Sequence, residues 1–190
     1  MNSKALWPHV LWPLFVLVPG VGLAGELDIN LNDDAARLSY AWPIRDDKLS
    51  LDAGLLTHQD RGEMVHFGLH LVDWASGGSN PLQGGLGGKL FYANTDSIFD
   101  DELVAGLGGF LRYTIPQYNR FSVSGQAYYA PDVLSFGDSE QFFEVEARVS
   151  YNVLREADIY LGARYINIEF EGGADFTLDN GLHAGIQLRF

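Results

Sequence analysis

The last ten residues, GLHAGIQLRF from Gly181 to Phe190, alternate without a break. Leu182, Ala184, Ile186, Leu188 and Phe190 form one row, and His183, Gly185, Gln187 and Arg189 form the other. Successive side chains of a strand point to opposite faces, so this period of two describes a β-strand with one apolar and one polar face. The chain then stops on an aromatic ring beside a free carboxylate. A strand bonds only sideways, and what covers its apolar row has to come from elsewhere.

The same alternation recurs upstream, and no segment after residue 24 carries a helical period. Nine further strands are expected: Glu26–Asn32, Ala35–Trp42, Lys48–Thr57, Glu63–Asp73, Gly84–Asn94, Leu103–Ile115, Arg120–Ala130, Gln141–Val153 and Asp158–Phe170. Asp33-Asp34 is the first turn. The ninth alternates through Ile159, Leu161, Ala163 and Tyr165, then changes phase at Ile166, Ile168 and Phe170, which reads as a bulge or as the strand leaving a membrane. With both termini on one side, the links on that side are Pro43–Asp47, Asp73–Gln83, Pro116–Asn119 and Leu154–Ala157. On the other side, Thr95–Glu102, Pro131–Glu140 and Glu171–Asp179 read as long acidic loops. The tight first turn and the long DWASGGSNPLQ link fit this scheme less well, so an eight-strand count with the first hairpin folded elsewhere stays open.

Residues 1–24 have the form of a cleaved export signal. Lys4 precedes an apolar run broken by Pro13 and Pro19, and Gly22 and Ala24 are the small residues before the expected cut. Residues 25–190 then form one barrel domain. The 190-residue chain has 12 basic and 25 acidic residues and a formal charge of -13. Lys4 is the one charged side chain of the leader, so the exported part carries -14. That charge makes nucleic acid and anionic surfaces poor partners. The lack of cysteine excludes a disulfide-stapled fold and a lipid-anchored cysteine.

A soluble sandwich also alternates, but here one face is uniformly aliphatic while the other mixes Gly, Ser, Gln, His and both signs of charge. A narrow polar interior suits the second face. Aromatics end many strands: Tyr40, Trp42, Trp74, Tyr92, Tyr113, Tyr129, Tyr151 and Phe190. Bands of such rings belong at headgroup level. The expected fold is therefore an all-β transmembrane antiparallel β-barrel of about ten strands in the outer membrane, closed so that every backbone group finds a partner. The closing GLHAGIQLRF resembles the recognition strand of outer-membrane barrels, with Leu182, Ile186, Leu188 and Phe190 as the assembly signal. From the leader through GLGGKLFYANT and GLGGFLRY to the terminal Phe, the chain resembles the YfaZ family of predicted outer-membrane proteins. The resemblance implies location and fold, with a porin-like label. Its expected partners are outer-membrane lipid, lipopolysaccharide, the barrel-assembly machinery and periplasmic chaperones.

No motif points to a cofactor. GGLGGK at Gly84–Lys89 lacks the Lys-Ser/Thr ending and helix of a phosphate loop, and its glycines make room for neighbouring side chains. His66 and His70 share a face but stand about 13 Å apart along a strand, too far for one metal ion. His58 and Ser135 fall in expected outer loops without a nucleophile motif, which leaves a lipid-modifying enzyme as an alternative beside a soluble lipocalin-like binder. The informative set faces inward: Arg37, Asp52, Lys89, Glu102, Arg112, Glu144, Glu146, Arg148, Asp158, Arg164 and Arg189. Opposite charges there are expected to pair and largely plug the lumen, leaving a structural, surface or narrow porin-like role. Outside, Asp96, Asp100, Asp101, Glu102, Asp132, Asp138, Glu140, Asp175 and Asp179 read as an acidic rim. Of these, Asp100, Asp101, Asp138 and Glu140 are candidates for a divalent cation shared with lipopolysaccharide phosphates.

Overall fold

The computed structural model describes residues 24–44, 48–74, 81–95, 101–137, 139–170 and 172–190. The leader expectation lies outside the described residues apart from Ala24, as does the Ala75–Asn80 part of the long link. The strands are β1 (Glu26–Leu31), β2 (Ala35–Ile44), β3 (Leu49–His58), β4 (Gly62–Trp74), β5 (Leu82–Thr95), β6 (Glu102–Thr114), β7 (Phe121–Pro131), β8 (Ser135–Phe136), β9 (Ser139–Leu154), β10 (Ala157–Phe170) and β11 (Ala174–Arg189).

All of them except β8 form one antiparallel ring. Consecutive members pair, β7 pairs with β9, and β1 closes on β11 from Glu26↔Arg189 to Leu31↔Ala184. Gly25 and Phe190 extend the seam by exchanging backbone hydrogen bonds, 2.9 Å from Phe190 N to Gly25 O and 3.3 Å in return. The two-residue β8 lies off the ring and pairs with the start of β6. Because β1 and β2 sit in the wall, the ring has ten strands, and the eight-strand alternative does not hold.

Most ring strands run 10 to 16 residues, enough to cross a hydrocarbon core at a tilt. Their outward rows are aliphatic and bare: Leu71 is 69% exposed, Leu86 74%, Leu161 69% and Leu182 81%. A continuous apolar belt of this kind far exceeds the patches that proteins show to water, so lipid is its natural cover. Aromatic rings border the belt. Near the termini stand Tyr40, Trp42, Tyr113, Phe121, Tyr151 and Phe190, with Tyr40–Trp42 centroids 5.6 Å apart and Phe121–Tyr151 4.9 Å apart. Near the other end stand Tyr92, Tyr129 and Phe143.

Three expectations need correction at the end away from the termini. First, the inward row of β10 keeps its phase to Phe170, and the register shift at Ile166/Asn167 comes from the facing strand, β11. Ile166 faces Asp179 while Asn167 faces Thr177, so Leu178 is an extra residue and both Leu178 and Asp179 turn inward. Ile166, Ile168 and Phe170 mark a change in the lumen itself, which becomes apolar there. They pack with Leu56, Met64, Phe91, Val104, Tyr128, Phe142 and Leu178 into a buried cluster. At its centre the Phe91 and Phe142 rings lie 4.4 Å apart.

Second, Glu171–Asp179 is mostly strand rather than a long loop. β10 ends at Phe170 and β11 begins at Ala174, and between them Gly172 and Gly173 adopt φ of 90° and 78°, a region that side chains with a Cβ disfavour. Third, Asp179 is buried inside the wall and not on the rim, and the buried Glu102 also belongs to the interior. His58 is likewise the buried last residue of β3, and Ser135 lies in β8.

Inward glycines shape the remaining space. On β5 and β6, Gly85 lies under the Phe110 ring, Gly87 against His70, Gly106 against Phe91 and Gly108 against Tyr128. A Cβ at Gly87 or Gly108 would also strike the backbone of the adjoining strand.

Candidate functional site

The lumen is built in layers, beginning at the terminus end with two arginines on one carboxylate. Asp158 of β10 takes Arg112 of β6 at 2.6 Å and Arg189 of β11 at 2.7 Å, and accepts from Asn152 Nδ2 at 2.6 Å. Arg112 also donates to Gln187 at 3.0 Å, and Gln187 donates to Glu26 at 2.7 Å. Planar guanidinium forks suit such shared carboxylate sites, because several N–H groups leave in fixed directions.

The middle layer spans the ring. Arg37 of β2 meets Glu144 of β9 at 2.7 Å with Glu146 at 3.7 Å, although β1, β11 and β10 separate these strands in the wall. Arg148 pairs with Asp28 at 2.6 Å and Glu146 at 2.5 Å, and its guanidinium lies 4.4 Å from the Tyr160 ring centroid. Glu146 also meets His183 at 2.8 Å and Gln126 at 2.7 Å. Tyr160 donates to Asp28 at 2.7 Å. A buried charge is tolerated only when paired and hydrogen-bonded, and here each carboxylate of this layer is held by at least one cation.

On the β3–β4–β5 wall Asp52 sits between two imidazoles, with His66 Nε2 at 3.1 Å and His70 Nδ1 at 2.9 Å. Lys89 stands 3.7 Å from the same carboxylate and 4.3 Å from the Tyr128 ring centroid. The far nitrogen of His70 meets Tyr128 Oη at 2.8 Å. A carboxylate thus occupies the gap between the two histidines. Above this layer, Arg164 chelates Asp179 and donates to Asn30 at 2.9 Å, and Asn32 donates to Asp179 at 2.9 Å. Beyond Arg164 the lumen is filled mainly by the apolar cluster, with Glu102 and His58 also buried toward that end.

The structure therefore places Arg37, Asp52, Lys89, Arg112, Glu144, Glu146, Arg148, Arg164 and Arg189 on the inner wall and joins them in the networks above. Sequence reading passed over Asp28, Asn30, Tyr128 and Tyr160 as partners. Their inward parity was available from alternation, whereas the strands they reach were not. Of the candidate cation rim, Asp100 and Asp138 lie outside the described residues, Asp101 accepts from Tyr92 Oη and Asn94 Nδ2 at 2.6 Å each, and Glu140 is half-buried. Among the described residues no group of three or more His, Asp or Glu is arranged to hold a metal. His58 Nδ1 accepts from Asp60 N at 3.2 Å and Ser135 turns to the Pro131 carbonyl at 3.5 Å. Leu182, Ile186 and Phe190 lie bare on the lipid-facing side of β11, in one row with the half-buried Leu188.

Residues 13–190 match the family described as YfaZ precursor. The chain is 31% identical over 181 residues to the outer membrane protein YfaZ of Escherichia coli strain K12, a match covering 89% of this chain and 96% of that protein. Among solved structures, the outer membrane protease OmpT of Escherichia coli superposes with a TM-score of 0.51 at 11% identity, over 88% of this chain and 93% of that one. The KdgM porin gives a TM-score of 0.47 at 11% identity, over 88% of this chain and 99% of that one. At such identity the likeness to OmpT is one of barrel architecture.

Proposed function

The chain belongs to the YfaZ family and is an outer-membrane β-barrel protein, and from that premise we propose that it is a barrel whose lumen is closed to free diffusion, with a structural or surface role and no catalysis. The termini face the periplasm, so the apolar cap lies toward the cell surface. One observation carries the reading: the Arg37–Glu144 pair crosses the lumen below a cap of buried aromatic and aliphatic side chains. An ion entering from the periplasm meets a paired charge layer and then hydrocarbon, where its desolvation is not repaid.

The grouping nearest to a catalytic arrangement is His70 between Asp52 and Tyr128. Tyr128 is almost wholly buried and its hydroxyl is engaged with His70 at 2.8 Å, so the grouping offers no exposed nucleophile. Single-channel recording of the purified protein in planar bilayers tests the closed reading. Wild type should give no porin-like steps, and the double variant Phe91→Ala, Phe142→Ala should give frequent openings. Stable open steps from wild type would refute it.

A further inference from the structure

Below the cap, the lumen leaves a cavity of about 460 Å³ that opens at the terminus end. We propose that it is a binding site for small organic anions that join a phosphate or carboxylate head to an aromatic or apolar body. The first support is how the charges are turned. The Arg112 and Arg189 side chains are 24% and 31% exposed into this space, while the Asp158 they share is 1% exposed. Arg148 is 17% exposed, and its partner Glu146 only 1%. Around Asp158 and Glu146 the guanidiniums form the surface and the carboxylates lie behind them.

The other acidic groups lining the cavity are engaged as well. Asp28 is held by Arg148 and Tyr160, Asp52 by His66, His70 and Lys89, and Glu26 by Gln187. Guanidiniums turned toward an enclosed space act on an anion more strongly than they would at an open surface, since the protein walls screen poorly. The volume falls in the range of small-molecule sites.

The second support is the aromatic side of the same cavity. Phe110 is half-buried, and its ring is accommodated over Gly85. It stands two residues before Arg112 on one inner row, about 7 Å along the strand. His70 packs edge-on against it with centroids 6.0 Å apart. A ring on Phe110 therefore places an attached oxyanion at Arg112, where bidentate N–H donation suits it. The inference does not depend on closure of the lumen, because binding is read by calorimetry and passage by conductance.

The test is isothermal titration of the purified full-length chain in detergent micelles with phenyl phosphate, inorganic phosphate and benzyl alcohol. Phenyl phosphate should saturate one site, inorganic phosphate should bind at least fivefold more weakly, and benzyl alcohol should not saturate. Arg112→Gln should weaken phenyl phosphate at least tenfold; Asp158 keeps Arg189 and Asn152, so the barrel is retained. Arg189→Gln repeats the test from the opposite side should Arg112→Gln fail to fold, as judged by gel mobility before and after boiling. Phe110→Ala should bring phenyl phosphate to the affinity of inorganic phosphate and leave the latter unchanged. Phosphatidic acid added to the micelles separates the sources, displacement assigning a lipid headgroup and its lack a soluble ester. Absence of saturable phenyl phosphate binding, equal binding of benzyl alcohol, or wild-type affinity in both arginine variants would overturn the proposal.

Discussion

Removing both halves of the pair that Arg37 and Glu144 make across the lumen should destabilise the barrel far less than the two single losses added together. Their contact is 2.7 Å, with side chains 2% and 0% exposed, so neither group has water to fall back on. Breaking a buried pair from one side typically costs 3–5 kcal/mol. Glu144→Leu leaves Arg37 with Glu146 at 3.7 Å, which places it near the lower end, about 3 kcal/mol. Arg37→Met leaves Glu144 without a cation at ion-pair distance among the described residues, about 4 kcal/mol. Independent sites would sum to about 7 kcal/mol; the double variant should lose about 4, a coupling of about 3 kcal/mol, the upper part of the range for touching residues. Urea unfolding in lipid vesicles, followed by tryptophan fluorescence, gives the cycle. Additivity within about 0.5 kcal/mol would show that the two side chains do not bear on each other, and the strut across the lumen would have to be abandoned.

The face assignment has a direct check in Ala147, which lies bare on the lipid side of β9 opposite Gly125 and Ala163: Ala147→Arg should cost about 2–4 kcal/mol by the same unfolding assay. A silent Ala147→Arg beside a strongly destabilised Arg148→Leu would mean that the faces are inverted. Deleting Phe190 removes both seam bonds to Gly25, about 2 kcal/mol at typical net values, together with the last ring of the apolar row. The fraction of chain recovered in the outer membrane should fall, and normal insertion of the deletion would contradict this.

Strand parity made much of the ring legible, because alternation separates the two faces wherever one is aliphatic and the other polar. It needs no knowledge of neighbours, and so it reached Arg37, Lys89 and Arg148 equally. What parity cannot supply is the partner across the ring. That Arg37 finds Glu144, 107 residues away, depends on circumference and stagger, neither of which is written locally. The rule also fails where its premise does. At Ile166, Ile168 and Phe170 the interior turns apolar, so an unbroken inward row looks like a slipped one. The true irregularity at Leu178 lay in a stretch whose glycines and acids resemble a loop. Asp179 was misplaced for the same reason, since an aspartate beside a turn reads as solvated until Arg164 is seen facing it.

The seam between β1 and β11 joins the two ends of the chain, and this sets an order on assembly. Arg148 meets Asp28 and Arg164 meets Asn30 only when the last strands reach the first. A sheet still open at that edge presents these guanidiniums with part of their partners missing, while its aliphatic row already asks for lipid. The favourable electrostatics therefore arrive late and together. Such a chain has a steep final step: partly wound forms should be scarce at equilibrium, and a fragment lacking the closing strand should gain little from the nine before it.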